Sequence, residues 1–274
     1  MCACQGYKVG RVYAPFHVSF GDLLRLWWQT KSMASLQDNS RELRRAIVIG
    51  SSGGIGAALA KALGERGLAV TGLSRSHGDA ADGSGIDITD EASIASAAAR
   101  LVGNAPFDII IVATGLLHNA NVAPEKTYRN LRTETLLDYF AVNSVGPALV
   151  AKHFIPLLPR KGRCVFAALS ARVGSISDNR LGGWYGYRAS KAALNMLVKT
   201  LAIEVRRTRS DAVCVGLHPG TVDTKLSKPF QRRVPRERLF TAEQSAASLV
   251  DVIERLTPAQ SGDCFAWDGA RIRP

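Results

Sequence analysis

AIVIGSSGGIGAALAKALGERG, residues 46–67, decides the fold. A short apolar run, AIVIG (46–50), meets a glycine-rich turn, GSSGGIG (50–56), which opens into the helical stretch AALAKALGERG. Strand, turn and helix in that order form the first unit of a doubly wound α/β sheet, provided the alternation continues. Gly50 permits the tight turn, Gly54 lets a pyrophosphate approach the backbone, and Gly56 lets helix and strand pack closely. The helix N-terminus then faces the phosphates with free N–H groups. The spacing is Gly-x₃-Gly-x-Gly, and taken alone the turn also reads as a plain glycine-rich connection.

The same residues match Gly-x-Ser-x-Gly, the nucleophile elbow of α/β-hydrolases, which would make Ser52 a nucleophile. That elbow needs earlier strands for its oxyanion-hole loop, and only the irregular residues 1–45 precede it. A P-loop is excluded, because no Lys-Ser/Thr pair follows the last glycine.

Beyond residue 67 the alternation holds. Apolar runs at 68–74, 107–115, 162–170, 211–220 and 262–269 read as strands, with a further short strand at IDITD (86–90). Helical patterns cover 92–102, 133–158, 186–208 and 242–256, with Pro147 and Pro156 marking a kink and an end in the long one. Strands separated by helices of this length imply right-handed βαβ units and a parallel sheet. The fold class is α/β: a Rossmann-type sheet of about seven strands, helices on both faces, in one domain over 46–274.

Composition sets bounds. The 274 residues are 46% hydrophobic and 21% charged, as in an ordinary globular chain. No apolar run approaches the ~18 residues of a membrane span. Of the net +12, residues 1–45 carry +4 and residues 225–238 (KLSKPFQRRVPRER) carry +5, leaving +3 for the rest. Two basic appendages on a nearly neutral domain do not make a nucleic-acid-binding face. Cys164, Cys214 and Cys264 lie in strand-like runs as buried thiols, Cys2 and Cys4 have no metal-binding partners in sequence, and no metal site is expected. A reducing compartment follows, the cytoplasm being the expected location. Residues 1–45 form a peripheral extension of unknown role: organellar targeting stays open there, as does a translation start at Met33.

The second strand selects the dinucleotide. NAD would call for an acidic residue about 20 positions into the motif, to hold the ribose 2′-hydroxyl. LAVTGLSRSHG (68–78) contains none; it holds Arg75 between Ser74 and Ser76. A guanidinium with two hydroxyls suits a 2′-phosphate, so NADP(H) is preferred over NAD(H). Asp87 is placed to receive the adenine amino group.

Chemistry is carried by YGYRASK (185–191). Tyr187 and Lys191, four apart on a helix, share a face. A phenol titrates near ~10, and an adjacent cation draws it toward neutrality, giving a usable acid or base. Tyr185 has Ala189 four residues on and cannot do this.

The glycine turn after the first strand, Tyr-x₃-Lys after the fifth and Pro-Gly after the sixth resemble the short-chain dehydrogenase/reductase family over residues 46–269. LSARVGSISDN, GGWYGYRASKAALNM and FAWDG are most similar to its Sniffer-type carbonyl reductases and C-factor-like bacterial members. The resemblance implies that Tyr187 protonates a carbonyl oxygen while Lys191 tunes it and holds the nicotinamide ribose. Ser170 would bond the substrate oxygen, and Asn143 would position a relaying water. Ser52, Gly53 and Ile55 would join the phosphate cradle, with Ile88, Ala113 and Gly115 along adenine and ribose. Pro219, Gly220, Val222 and Thr224 would hold the nicotinamide amide.

Two departures stand out. Ser170 lies 17 residues before Tyr187, longer than the family spacing, which points instead to Ser175; Ser170 is kept because the strand CVFAALS leads into it. VATG (112–115) replaces the family's Asn-Asn-Ala-Gly, and His118 beyond it is either loop surface or a substrate contact. The basic segment 225–238 falls where the family places a substrate cover, so Arg232 and Arg233 suggest an anionic carbonyl substrate. The resemblance also implies a homodimer or homotetramer. Expected is an NADPH-dependent reductase of an aldehyde or ketone; a non-catalytic dinucleotide-binding regulator and a Ser52 hydrolase are the alternatives.

Overall fold

The computed structural model describes residues 45–75 and 84–274; the readings of residues 1–44 and of Ser76 lie outside them. The deciding stretch folds as β1 (Arg45–Ile49), a turn, and α1 (Gly54–Glu65). There follow β2 (Ala69–Leu73), α2 (Glu91–Leu101), β3 (Ile109–Val112), α3 (Thr133–Phe140), α4 (Gly146–Phe154) and β4 (Cys164–Leu169). The chain continues through α5 (Tyr185–Val205), β5 (Ala212–His218), β6 (Thr221–Val222), β7 (Leu239–Phe240), α6 (Ala242–Arg255), β8 (Cys264–Ala266) and β9 (Arg271–Ile272).

Seven strands form the main sheet in the order β2-β1-β3-β4-β5-β8-β9, parallel except for β9. Strand residues alternate between two cores, as the two-residue period requires. Ile47, Ile49, Ile110, Val112, Phe166 and Cys214 pack with α2, α4 and α5. Ala46, Val48, Ile109, Ile111, Val165, Val213 and Val215 pack with α1 and α6. Each fully buried Ile, Leu or Val contributes roughly 1.5–3 kcal/mol of transfer free energy. That double burial is why these strands read as unbroken apolar runs.

Two expectations need correction. Residues 86–90 are not a strand: pairing there is the single bridge Ser74–Gly85. Asp87 instead folds a tight turn by accepting the Thr89 N–H at 2.9 Å and the Thr89 hydroxyl at 2.7 Å. The seventh strand is the antiparallel β9, paired with β8 through Cys264–Ile272 and Phe265–Arg271. The stretch 133–158 is also not one helix. A wide π turn, Ala141–Val145, separates α3 from α4; Pro147 enters α4 in its first turn, and Pro156 sits in the 3₁₀ turn that ends it.

The strand order reverses between β1 and β3, opening a crevice beyond the carboxyl ends of the parallel strands. Gly50, Ala113, Ser170 and Pro219 stand at or just beyond those ends. Among the described residues no helix is long and apolar enough to cross a membrane.

Candidate active site

The turn after β1 is built for a close ligand. Gly50 has φ +90°, and its N–H donates to the Leu73 carbonyl at 2.7 Å, tying the turn to β2. A Cβ on Gly56 would lie 2.1 Å from the Gly50 carbonyl oxygen, so only glycine fits where helix crosses strand. A Cβ on Gly54 would reach 2.9 Å from Thr224 Cγ2, which places Thr224 directly over the start of α1. That start has no side-chain cap and no acid in its first turn, so its N–H groups and positive dipole end are open to an anion. Thr114 Oγ1 is buried beside this turn without a hydrogen-bond partner. These features fit a dinucleotide pyrophosphate.

A cleft of about 940 Å³ runs from the turn along the strand ends. It gathers Gly50, Ser52, Gly53, Gly54, Ile55 and Gly56 with Ser74, Arg75, Asp87 and Ile88 at one end. Ala113, Gly115, Ser170, Tyr187, Lys191, Pro219 and Thr224 line the other. The Asp87 carboxyl is held below its usual range, chiefly by the Thr89 N–H, with the Arg75 charge adding to it. Three expected residues stand behind the wall instead: Asn143, Gly220 and Val222. Gly220 (φ +80°) turns where a Cβ would strike the Phe240 ring at 2.7 Å. Val222 is buried, and its carbonyl accepts the Ser227 hydroxyl.

Asn143 lies in the π turn with no exposed surface. Its Oδ1 accepts the Leu116 N–H at 2.8 Å, while Nδ2 donates to the Leu116 carbonyl at 2.9 Å and to Ser190 Oγ at 3.1 Å. The side chain therefore clamps the segment after β3.

Lys191 is 3% exposed; its Nζ donates to the Leu169 carbonyl at 2.8 Å and stands 5.9 Å from the centre of the Tyr187 ring. Burial lowers its ammonium from 10.5 to about 8. Tyr187 is 8% exposed, and burial pushes its phenol up to about 12. Burial is the cause of that rise, and the downward pull expected of Lys191 does not appear in it. Tyr139 and Trp184 seat the Tyr187 ring edge-on, at 6.2 and 6.1 Å between centres.

The two serines separate in space. Ser170 lines the cleft, with Oγ donating to Asn195 Oδ1 at 2.6 Å. Ser175 accepts the Asp178 N–H at 3.2 Å and borders a different hollow, of about 260 Å³, with Tyr185 and Arg188. His118 lines the cleft too, its Nε2 3.1 Å from the Lys225 carbonyl oxygen and its ring against Phe230. Lys225 and Leu226 bring the basic segment to the cleft, where Lys228 pairs with Asp223 at 3.5 Å. Sequence reading missed Thr114, Asn195 and Glu125. Only Thr114, next to Gly115 in VATG, carried a local signal.

Residues 44–234 match the model of the short chain dehydrogenase family. The chain belongs to that family. It is an oxidoreductase fold of the short-chain dehydrogenase type, and the match finds no place for the Ser52 hydrolase. A Rhodococcus sp. relative, 1-hydroxy-2-glutathionyl-2-methyl-3-butene dehydrogenase, is 33% identical over 83% of this chain and 98% of its own. The C-signal protein of Myxococcus xanthus is 34% identical over 48% of this chain and 75% of its own. A short-chain dehydrogenase/reductase of Burkholderia multivorans with bound NADP superposes with TM-score 0.69 and 26% identity, over 85% of this chain and all of that one. Carbonyl reductase Sniffer of D. melanogaster has the same fold, with TM-score 0.70 at 24% identity and the same coverage.

Proposed function

We propose that the chain reduces an aldehyde or ketone to an alcohol, reversibly, with NADPH, and that Tyr187 delivers the proton. One observation carries this reading: a buried Tyr187 and a buried Lys191 share a single cleft with an uncapped helix start and Arg75. When bound there, the dinucleotide supplies hydride. Arg75 and Ser74 would hold its 2′-phosphate, Gly50 to Gly56 and Thr224 its pyrophosphate, and Asp87 its adenine. The Tyr187 hydroxyl donates to the substrate oxygen and gives up its proton as charge develops there. Lys191, its ammonium lowered to about 8 by burial, would face the ribose and stabilise the resulting phenolate. Ser170 meets the substrate oxygen by turning its hydroxyl from Asn195, and Asn143 keeps the floor at Leu116 fixed.

The Burkholderia relative with NADP supports the choice of dinucleotide. The Rhodococcus relative's name carries a glutathionyl group, whose carboxylates parallel the anionic substrate that Lys225 and Arg232 would attract. Three buried free thiols suit a reducing compartment such as the cytoplasm. Exposed Leu137, Met196, Leu197 and Ile203 on α3 and α5 support pairing of two copies.

The test is NADPH consumption over a panel of aldehydes, ketones and quinones, wild type beside Tyr187→Phe. Turnover that vanishes in the variant while NADPH still binds supports the reading. Tight binding with no turnover in either protein favours a regulatory dinucleotide binder, and no binding sinks the reading.

A further inference from the structure

Helix α5 carries both reactive side chains, yet its start is poorly made by its own sequence. Trp184, at the cap position, is left-handed (φ 55°, ψ 41°) and gives no side-chain cap, and no acid lies in the first turn. A helix start leaves N–H groups needing acceptors. They are supplied from 61 residues away, by Glu125. Its Oε2 accepts the Gly186 N–H at 3.1 Å, and its backbone carbonyl accepts the Trp184 N–H.

Glu125 is 4% exposed, and its second oxygen, Oε1, is buried without a hydrogen-bond partner. A carboxylate is costly to bury. Here the positive end of α5 offsets that cost. The packing around it is tight. A Cβ on Gly186 would fall 3.0 Å from Glu125 Oε1 and 2.4 Å from Tyr139 Cδ2, so the glycine of YGYRASK is the residue that lets carboxylate and ring close over the helix start. Tyr139 is locked in turn by donating its hydroxyl to the Leu117 carbonyl at 2.7 Å. Of the two rings that seat Tyr187, Trp184 is thus held through its N–H by the Glu125 backbone, and Tyr139 packs against Gly186, whose N–H the Glu125 carboxylate holds.

We propose that Glu125 is a positioning residue: it caps α5 from the loop after β3 and thereby fixes the ring of Tyr187 against the substrate. This rests on the reductase reading for its kinetic part. A displacement of about 1 Å at a reacting group costs roughly 100-fold in rate. The turn after β1, on which dinucleotide binding centres, makes no contact with Glu125, so NADPH affinity is expected to change much less than kcat.

The experiment uses the full chain and compares Glu125→Ala with Glu125→Gln, whose side-chain oxygen can still accept the Gly186 N–H. Glu125→Ala is expected to lower kcat at saturating NADPH by roughly 100-fold with little change in NADPH affinity. Glu125→Gln is expected to recover most of it. In parallel, amide hydrogen exchange of the segment 184–191 should speed up in the Ala variant and stay near wild type in the Gln variant. Unchanged exchange in Glu125→Ala overturns the cap, and a kcat equal to wild type despite faster exchange overturns the positioning role. If wild type turns over no carbonyl, the reductase reading fails, and exchange still decides the cap. Loss of NADPH affinity in step with kcat overturns the positioning role in favour of general loosening.

Discussion

Replacing Lys191 by methionine should make the dinucleotide-free protein more stable and inactive. Burial moves this ammonium from 10.5 to about 8, a cost of about 3 kcal/mol to the folded chain at neutral pH, where the group is charged in both states. Methionine fills nearly the same volume without charge. The hydrogen bond from Nζ to the Leu169 carbonyl is lost, which returns about 1 kcal/mol. The net expectation is a gain of about 2 kcal/mol, or roughly 4–8 °C in Tm. The pH dependence distinguishes this cause from better packing. Because the folded pKa is depressed, the unfolded chain binds more protons between 8 and 10.5, and wild-type stability rises with pH across that window. Urea unfolding of both proteins at pH of about 7 and about 9.5 should show the variant's advantage shrinking by about 2 kcal/mol at the higher pH. A variant less stable at neutral pH, or an advantage equal at both pH values, refutes the reasoning. Tyr187 acts in the opposite sense: with its phenol raised to about 12, its contribution is complete below 10 and is lost as pH climbs through 12.

Gly56→Ala puts a Cβ 2.1 Å from the Gly50 carbonyl oxygen, which forces the start of α1 away from the turn; fluorescence titration should show NADPH binding weakened by at least roughly 100-fold, and unchanged binding would refute the cradle. Arg75→Ala should weaken NADPH by roughly 10- to 100-fold, the worth of a charge-assisted contact, while leaving NADH as it was. Equal losses for both would remove the 2′-phosphate assignment. Ser170→Ala should lower kcat by roughly 100-fold and Ser175→Ala should leave it near wild type; the reverse order would return the role to Ser175. Lys225→Ala with Arg232→Ala should reduce kcat/KM for a carboxylate-bearing carbonyl and flatten its salt dependence, with a neutral carbonyl unaffected; indifference to charge would remove the anionic substrate.

The parallel strands were legible because their apolar runs are unbroken, and the turn was legible because two of its glycines, Gly50 and Gly56, are required by positive φ or by contact. Pairing of short segments was not. β9 is the two residues Arg271–Ile272, made a strand by β8 and not by its own composition. IDITD looks like a strand from its isoleucines, but Asp87 spends its carboxylate on Thr89 and folds a turn. Ser170 and Ser175 could not be separated by spacing; the strand's end at Leu169 and the 3₁₀ turn Arg172–Gly174 separate them. The four-residue spacing puts Lys191 on the face of Tyr187, where its Nζ stands 5.9 Å from the ring centre; the burial that shifts both groups is a tertiary property, which spacing does not show. Glu125 was invisible for the same reason: a glutamate in a loop becomes a cap only when a helix 61 residues later arrives over it.

The wide turn Ala141–Val145 makes chain length itself a constraint. Such a turn accommodates one residue more than the regular helical ladder, and each helical residue rotates the chain by about 100°. Removing any one of the five would let the segment rewind, swinging α3 and Tyr139 around relative to α4 and carrying Asn143 off Leu116. Exchanges of side chain at Val142 or Val145 leave that count intact. Insertions and deletions should therefore be far less tolerated across 141–145 than substitutions, and a single-residue deletion scan would trace this boundary as a gap-free block within a helix.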